Sequence, residues 1–374
     1  MRITSLKVNG FRNLKNIDLT PYDKINVLCG ENAQGKTNLM ESIWMTSGAK
    51  SFRGVKEKDI IGFDSESAYV DISFESSVRS ENISLILSRV QKERKIMLNG
   101  VKLKSLTELV GRLLCVIFTP EDLFLTKGSP DIRRSYLDLC ISQIKPMYAG
   151  VAAKYDVLLA QRNAVLKNIA MGISKPDDLE IWDEQIARQG SYISMMRHVY
   201  TEVLNRYTTV LYNEISRGRE QMSLEYSSTV FEQLSNRTDY KDSMAKEYLA
   251  KLRSSLSDDI KLGYTQVGVH RDELTVKIDQ KSVRDFGSQG QNRSAALCMK
   301  LGQARALYKE TNEMPVILLD DVLSELDTSR KQFVLSQIND AQIFITCCEP
   351  INGFKEAKKH LFYLKDGRIV SDKG

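Results

Sequence analysis

A glycine-rich segment near the start of the chain has the residue types that bind the phosphates of a nucleotide. The segment consists of Gly30, Glu31, Asn32, Ala33, Gln34, Gly35, Lys36 and Thr37, and Asn38 follows it. Its glycines let backbone N–H groups turn toward an anion, Lys36 can reach the β- and γ-phosphates, and the Thr37 hydroxyl can bind Mg²⁺. An apolar stretch precedes it and apolar residues at helical spacing follow, as in a P-loop between strand and helix. The sequence therefore predicts a site for a nucleoside triphosphate and Mg²⁺.

Two later segments carry groups that suit the same chemistry. The apolar run 316–319 ends at Asp320 and Asp321, as a buried strand with an acidic end does. Asp320 is expected to hold Mg²⁺, directly or through water, although a solvated strand end has the same pattern. Another segment, Ser288-Gln289-Gly290-Gln291, precedes a helical pattern. A helix N-terminus is a favourable place to meet a phosphate, and the alternative is a helix cap in which Ser288 satisfies backbone N–H groups.

Several segments together resemble the RecF family, bacterial recombination and repair ATPases that are relatives of the SMC proteins within the ATP-binding-cassette class. These segments are 3–14 (ITSLKVNGFRNL), 118–123 (FTPEDL), 133–134 (RR), 268–272 (GVHRD), 288–291 (SQGQ) and 319–327 (LDDVLSELD). The resemblance covers nearly the whole chain, and the combination of segments is far more specific than any one of them.

The resemblance implies an α/β fold, namely the SMC/ABC-type ATPase head. In that fold a mixed β-sheet lobe carries the P-loop, and a mostly helical second lobe is inserted into it. The expected lobes are 1–125 with 262–374 for lobe I and 126–261 for lobe II, because residues 130–260 lose glycine and gain helical patterns. The inserted segment is far too short for the long coiled coil of SMC proteins.

The resemblance also assigns roles to site residues. Lys36, Asp320, Asp321 and Ser288 are the expected catalytic residues. Ser288, Gln289, Gly290 and Gln291 are expected to contact the γ-phosphate bound by a second copy, which implies a homodimer formed on ATP binding. The 324–327 segment would cross the dimer seam, and Arg12 and Asn13 would lie near the nucleotide. Arg53 is expected either at the α-phosphate or as a solvated arginine.

Three positions depart from the usual cassette pattern. Asp321 stands where a glutamate normally polarises the attacking water, and its shorter side chain predicts slow hydrolysis suited to a timed switch. Pro120-Glu121-Asp122 stands where a glutamine usually binds Mg²⁺. Thr346 stands near the place of the switch histidine, which leaves γ-phosphate sensing open.

Basic residues suggest a DNA-binding surface in the predicted sheet lobe. They are Arg53, Lys56, Arg89, Lys92, Arg94, Lys102 and Lys104. Such residues can neutralise phosphates without reading base sequence, whereas the alternative is a charged edge strand that resists aggregation. The resemblance implies binding of double- and single-stranded DNA at gaps or duplex–single-strand junctions, cooperation with RecO and RecR, and help in loading RecA.

Composition and local patterns limit the remaining possibilities. The chain has 374 residues and a formal net charge of +5, which permits nucleic-acid binding without requiring it. We expect no membrane span and no secretory signal, and the six cysteines suit core positions in a reducing cytoplasm. Three other classes stay open: an SMC-like structural DNA clamp, a transport-type cassette subunit, and a P-loop enzyme that phosphorylates a small molecule.

Local patterns predict individual elements and two structural roles. A hairpin is expected around Asn99-Gly100, and helices are expected over 144–170, 178–217 and 241–256. His270 is expected in a structural turn. The pair at 133–134 is expected to face DNA, a partner protein or solvent.

Overall fold

A computed structural model describes residues 1–91, 93–348 and 359–373. The strands in chain order are β1 (Arg2–Asn9), β2 (Ile17–Leu19), β3 (Ile25–Cys29), β4 (Ser67–Glu75), β5 (Ser80–Ser88), β6 (Glu93–Leu98), β7 (Val101–Leu103), β8 (Cys115–Phe118), β9 (Met222–Ser227), β10 (Glu273–Ile278), β11 (Lys281–Ser282), β12 (Val316–Leu319), β13 (Ile343–Cys347), β14 (Lys359–Lys365) and β15 (Arg368–Lys373). The helices are α1 (Lys36–Thr46), α2 (Phe124–Lys127), α3 (Pro130–Ile144), α4 (Pro146–Ala170), α5 (Glu180–Ser216), α6 (Ser243–Ser254), α7 (Leu256–Leu262), α8 (Val283–Phe286), α9 (Gln289–Thr311) and α10 (Thr328–Gln337).

The chain divides into two compact units. The sheet unit comprises Met1–Asp122 and Lys300–Gly374, and the helical unit comprises Leu123–Met299. The predicted lobes differ from these units in residues 123–125 and 262–299, which lie in the helical unit. The physical reason for the larger stretch is that its β10 pairs along its length with β9, which lies inside the predicted helical lobe. The lobe boundaries themselves remain a prediction about domain organisation.

The sheet unit contains a six-stranded sheet that carries the P-loop. Its strand order is β15-β14-β3-β13-β12-β8, and all strands except β15 run parallel. Strands β8, β12 and β13 are buried along their whole length and, apart from Thr346, apolar, as expected of parallel strands covered on both faces. The carboxyl ends of β3, β12 and β13 therefore meet at one edge of the sheet.

A second sheet of the same unit is antiparallel, in the order β2-β1-β4-β5-β6-β7. Strands β4 and β5 alternate between buried and less buried residues, which indicates one face on the core and one toward solvent. The predicted hairpin is confirmed: β6 pairs with β7, and the turn residues Asn99 and Gly100 have φ angles of 50° and 78°. Positive φ at both positions is the requirement of a type I′ turn.

The helical unit is built from α2–α8, the N-terminal part of α9 up to Met299, and the small sheet β11-β10-β9. The predicted helices are confirmed as α4, α5 and α6, with ends within about two residues of those expected. The longest helix among the described residues is α5, with 37 residues, so this part of the chain has no long coiled coil. None of the helices in the described ranges combines the length and apolar character that a bilayer crossing needs.

Buried polar networks stabilise the helical unit. The Arg133 guanidinium is buried and donates to both carboxylate oxygens of Glu273 at 2.8 and 2.7 Å. The expectation that it faces DNA, a partner protein or solvent is therefore wrong. Arg134 donates to the carbonyl of Asp272. His270 has the predicted structural role, because Tyr155 Oη lies 2.9 Å from its Nδ1 and the Thr265 carbonyl lies 3.1 Å from its Nε2.

Candidate nucleotide-binding site

The predicted P-loop connects β3 to α1, and two glycines allow its sharp path. Gly30 has φ 153° and Gly35 has φ 105°. A Cβ at Gly30 would lie 2.5 Å from the carbonyl oxygen of Leu364, and one at Gly35 would lie 2.8 Å from a methyl group of Leu14. Both positions therefore require glycine on conformational and steric grounds. Helix α1 begins at Lys36, so its free N–H groups face this loop.

Lys36 lies within the loop and is 4 % exposed. Its Nζ donates to the carbonyl oxygens of Gly30 at 2.6 Å and Glu31 at 2.8 Å. These neutral acceptors hold the ammonium group without neutralising its charge. An anionic phosphate would form a stronger, charge-assisted bond with the same group.

Thr37 and Asp320 meet in the structure although 283 residues separate them in sequence. The Thr37 hydroxyl donates to Asp320 Oδ1 at 3.0 Å, and the Thr346 hydroxyl lies 3.0 Å from the same oxygen. A hydroxyl and a carboxylate at one point supply the hard oxygen ligands that Mg²⁺ prefers. The residues thus fit a Mg²⁺ ion at the phosphate end of the loop.

Burial, with a smaller contribution from the nearby Asp321 carboxylate, raises the pKa of Asp320 to about 6. Hydrogen bonds from Thr37 and Thr346 oppose the effect because they stabilise the charged form. A carboxyl group in this state carries a negative charge that is only partly compensated by the protein. A cation at this position would therefore favour the ionised form.

Asp321 follows in a left-handed backbone conformation with φ 53°. Its N–H donates to Thr346 Oγ1 at 2.8 Å, and the Thr346 hydroxyl lies 3.3 Å from its Oδ1. Thr346 therefore lies beside both aspartates, where the sequence placed the substitute for the switch histidine. Whether it senses the γ-phosphate stays a prediction.

Arg12 reaches the site from the N-terminal segment and is held by a residue that the sequence analysis missed. Its Nε and Nη2 donate to the two oxygens of Glu41 at 2.5 and 2.9 Å, and Ser51 donates to the same carboxylate. Glu41 is fully buried in α1. The signal was a single acidic residue within an apolar helix, four positions after Thr37, which needs a cationic partner.

Asn13, Asn38 and Arg53 form a chain of hydrogen bonds along the loop. Asn13 donates to the Ala33 carbonyl at 2.9 Å, and Asn38 donates to Asn13 Oδ1 at 2.7 Å. Arg53 Nη1 donates to Asn38 Oδ1 at 2.9 Å. Arg53 is thus placed at the P-loop rather than with the other basic residues.

These residues line one cavity of about 580 Å³ in the sheet unit. Its size is in the range of ligand-binding clefts. Arg12, Asn13, Asn32, Ala33, Gly35, Lys36, Thr37, Asn38, Arg53 and Asp321 all contribute to its wall. The structure therefore brings most of the predicted nucleotide-binding residues together around a single space.

The segment 288–291 belongs to the helical unit, where it forms the start of α9. The N–H of Gln291 donates to Ser288 Oγ at 3.2 Å, and the N–H of Ser288 donates to Gln291 Oε1 at 2.8 Å. This reciprocal pair is a capping box, so the capping role is confirmed. Ser288 and Gln289 remain exposed, while their predicted contact with a second copy's phosphate stays a prediction.

The third departure, at residues 120–122, and the 324–327 segment also have defined surroundings. Asp122 accepts the N–H of Thr119 at 2.8 Å and lies 3.6 Å from the ammonium of Lys300. In the 324–327 segment, Ser324 donates to the Asp321 carbonyl at 2.5 Å and Asp327 caps α10. The segment thus begins directly at the acidic end of β12.

The basic residues proposed for DNA fall into three groups. Lys92 lies outside the described residues. Lys56, Lys102 and Lys104 are exposed. Arg89 donates to the carbonyls of Ile61 and Gly62, and Arg94 forms an ion pair with Glu57. Arg89 and Arg94 therefore already bond to other residues of the sheet unit.

Comparison with known proteins agrees with this arrangement. The family described as RecF/RecN/SMC N terminal domain matches residues 2–365. The DNA replication and repair protein RecF of Clostridioides difficile (strain 630) is 37 % identical over 375 residues, covering 99 % of this chain and 98 % of its own. The chain belongs to the RecF family. Another RecF family relative, from Clostridium tetani (strain Massachusetts / E88), is 37 % identical and is covered completely.

Solved structures give the same family and fold. The recombination mediator protein RecF with ATP, of the RecFOR pathway, superposes with a TM-score of 0.90 at 36 % identity, covering 100 % of this chain and 97 % of that one. An Smc head bound to the C-winged helix domain of ScpA matches with a TM-score of 0.58 at 16 % identity. The second match shows the fold alone. The predicted ATPase-head fold of the SMC/ABC type is thereby confirmed for this RecF family member.

Proposed function

We propose that this chain is an ATP-dependent DNA-binding switch of recombinational repair and replication restart. The observation that carries the proposal is the contact of Thr37 with Asp320 beside the Lys36 ammonium. It joins the P-loop to the acidic strand around one cavity and gives the protein a phosphate site and a cation site together. The ATP complex of the RecF structure at 36 % identity supports ATP as the ligand.

Each residue then has a defined task toward ATP and Mg²⁺. The loop N–H groups and Lys36 bind the phosphates, and Thr37 with Asp320 would hold Mg²⁺. When bound, the ion neutralises phosphate charge and orients the terminal phosphate. Asp321 lies at the cavity wall, where its carboxylate would orient the attacking water. Because its reach is shorter than that of a glutamate, we expect slow hydrolysis.

The proposed active state is a homodimer that forms on ATP. In the helical unit the capped start of α9 presents Ser288 and Gln289 to solvent, so these groups are accessible to the nucleotide of a second copy. Phosphate at a helix N-terminus gains from the dipole and the free N–H groups. Hydrolysis would remove this bridging contact and open the dimer, which gives the switch its direction.

DNA and protein partners complete the proposal. The relatives' name, DNA replication and repair protein, and the RecFOR pathway of the solved structures support a role at damaged DNA. We propose sequence-independent binding at single-strand gaps or duplex–single-strand junctions, with RecO and RecR as partners in loading RecA. The site of action would be the cytoplasm, where chromosomal DNA and ATP are both present.

The test is the molecular mass in solution, measured by light scattering with and without ATP–Mg²⁺ and with and without a gapped duplex. The wild type should be a monomer that becomes a dimer with ATP, and DNA should tighten the dimer. Lys36→Met should stay monomeric because it cannot hold the triphosphate, whereas Ser288→Arg should bind ATP without dimerising.

Two outcomes would contradict the model. If monomeric Ser288→Arg protein retained DNA normally, the ATP-dependent homodimer would not be needed for DNA binding, and the protein would bind DNA as a monomer. A monomeric wild type whose ATP turnover ignores DNA but responds to a small molecule would favour the P-loop enzyme instead.

A further inference from the structure

Two cysteine side chains lie directly beneath the P-loop on neighbouring strands. Cys29 is the last residue of β3, and Cys347 is its registered partner at the end of β13. Their sulfur atoms are 3.3 Å apart. They pack in a small cluster of buried residues with Val27. Cys29 immediately precedes Gly30, the residue at which the phosphate loop begins.

We infer that Cys29 and Cys347 form an oxidation site whose disulfide controls the phosphate loop. Adjacent strands lie about 4.8 Å apart, which is within the range of Cα separations that a disulfide spans. The sulfur atoms need to approach by little more than about 1 Å to reach the S–S bond length of about 2.05 Å. Sequence distance is no obstacle, because the sheet already holds the pair in register.

The electrostatic surroundings favour oxidation at Cys29. The pKa of the Cys29 thiol is lowered, chiefly by its hydrogen bond with the Cys347 thiol. The charges of Lys36 and Lys359 act in the same direction, and burial acts against them. The thiolate is the form that reacts with oxidants. Cys29 is 1 % exposed and Cys347 is 8 % exposed, so access to the pair is narrow and lies on the Cys347 side.

The proposed reaction uses a hydroperoxide, here hydrogen peroxide, as the two-electron oxidant. The thiolate sulfur of Cys29 attacks one peroxide oxygen, the O–O bond breaks, and the leaving hydroxide takes a proton to become water. The sulfur of Cys347 then attacks the sulfenic sulfur of Cys29. The S–S bond forms, the S–OH bond breaks, and a second water leaves with the proton of Cys347. Two thiols are oxidised and one peroxide is reduced to two waters.

The consequence for the nucleotide rests on the proposed function. The bond would draw the ends of β3 and β13 together at the residue before Gly30, whose carbonyl holds Lys36. Thr346, which positions Asp320 and Asp321, directly precedes Cys347. One bond would therefore displace both the phosphate side and the cation side of the cavity. Sites that depend on such geometry lose affinity when groups move by about 1 Å.

Cys348 provides a matched control in the same segment. It is exposed, and its sulfur lies 3.3 Å from Oδ1 of Asn32 in the loop. It is thus reachable by oxidants. This contact is with an amide oxygen. Oxidation at Cys348 alone would modify the loop surface without linking the strands.

The experiment treats the full-length protein with hydrogen peroxide, blocks remaining thiols, and maps disulfides by mass spectrometry. We expect a Cys29–Cys347 cross-link in the wild type and in Cys348→Ser, and its loss in Cys29→Ala and Cys347→Ala. Affinity for a fluorescent ATP analogue should fall at least tenfold in the oxidised wild type and recover with dithiothreitol. The two alanine variants should keep their affinity after the same treatment.

Each other result has a definite meaning. If the wild type is modified at Cys348 but never cross-linked between Cys29 and Cys347, the proposed oxidation site is wrong. This result comes from the wild type alone, so it does not depend on the folding of any variant. If the cross-link forms but nucleotide affinity is unchanged, the disulfide does not control the phosphate loop. If the reduced wild type fails to bind the analogue, the proposed function fails, while the cross-link is still scored by mass alone.

Discussion

Arg162 of the helical unit and Lys36 of the sheet unit are both buried cations, but their partners differ in kind. Arg162 bonds to the carboxylates of Asp183 and Asp259 at 2.6 and 2.7 Å. Lys36 bonds to two backbone carbonyls. A buried charge neutralised by fixed counter-charges maintains the fold, whereas one held only by dipoles retains a positive charge for an incoming anion. The identity of the partner therefore separates structural from functional charge in this molecule.

The largest effect should follow from removing Arg162, the buried cation with a structural role. Arg162→Ala leaves Asp183 and Asp259 buried without their cation, and should lower the free energy of unfolding by about 3–5 kcal/mol. Urea unfolding followed by circular dichroism measures the change. Arg188→Ala, at an exposed position of α5, the helix that carries Asp183, should change stability by less than about 0.5 kcal/mol. Equal effects at the two positions would show that the buried Arg162 and its two aspartates have no special role in stability.

Substitution of Lys36 should have the opposite pattern, with a large loss of ATP binding and a small change in stability. Lys36→Met should weaken ATP–Mg²⁺ binding at least a hundredfold, about 3 kcal/mol, because a charge-assisted bond to phosphate is lost. Its free energy of unfolding should change by less than about 1 kcal/mol, because no buried carboxylate loses a partner. Calorimetric titration and urea unfolding give the two numbers. Lys50→Met, an exposed lysine near the loop, serves as the control, and a strongly destabilised Lys36→Met protein would contradict the distinction.

His270, a partly buried titratable residue, should make the stability of the protein depend on pH. Burial lowers its pKa to about 4, and the charges of Arg271, Arg134 and Arg162 act in the same direction. Because the unfolded value is near 6.5, the unfolded chain binds more protons between these limits. The stability it contributes is full above about pH 6.5 and is lost as the pH falls toward 4. At pH 5 the loss should be about 2 kcal/mol relative to pH 7.5.

Urea unfolding of the helical unit across this range measures the effect of His270. His270→Gln should flatten the profile, since glutamine does not titrate. The same substitution at His360, in the sheet unit, controls for the loss of a histidine. A profile that stays steep in His270→Gln would assign the pH dependence to other groups.

The smallest effect concerns the exposed basic residues. Lys102 and Lys104 are exposed on and beside β7, whereas Arg94 is paired with Glu57. If the lysines contact phosphates, Lys102→Gln with Lys104→Gln should reduce the slope of log K against log salt by about 2, and Arg94→Gln by less than about 1. DNA-binding titrations at several salt concentrations measure these slopes. Equal slopes in all variants would place the DNA surface elsewhere.

Local patterns predicted the parts of the fold that short-range rules control. The P-loop, the Asn99-Gly100 turn, the helices α4–α6 and the acidic end of β12 each follow from residues close in sequence. The convergence of Thr37 with Asp320 was also predictable, because both motifs end or follow parallel strands that share an edge.

Partners distant in sequence were not predictable from any local pattern. Arg133 resembled a surface arginine, but its acceptor Glu273 is 140 positions away. Glu41 and Arg12 are 29 positions apart, and nothing near either residue indicates the other. The type of residue is visible in the sequence, whereas its burial and its partner depend on how separate segments pack. For charged residues those two properties decide between structure and function.

The position of β3 in its sheet has a consequence for how the protein is made. Its neighbours β13 and β14 are translated long afterwards, with Cys347 emerging 318 residues behind Cys29. A ribosome adding about 5–20 residues per second needs tens of seconds to close that gap. During this time the phosphate loop has no sheet to hold its ends. A polypeptide released before β13 and β14 are made therefore cannot complete the sheet on either side of β3.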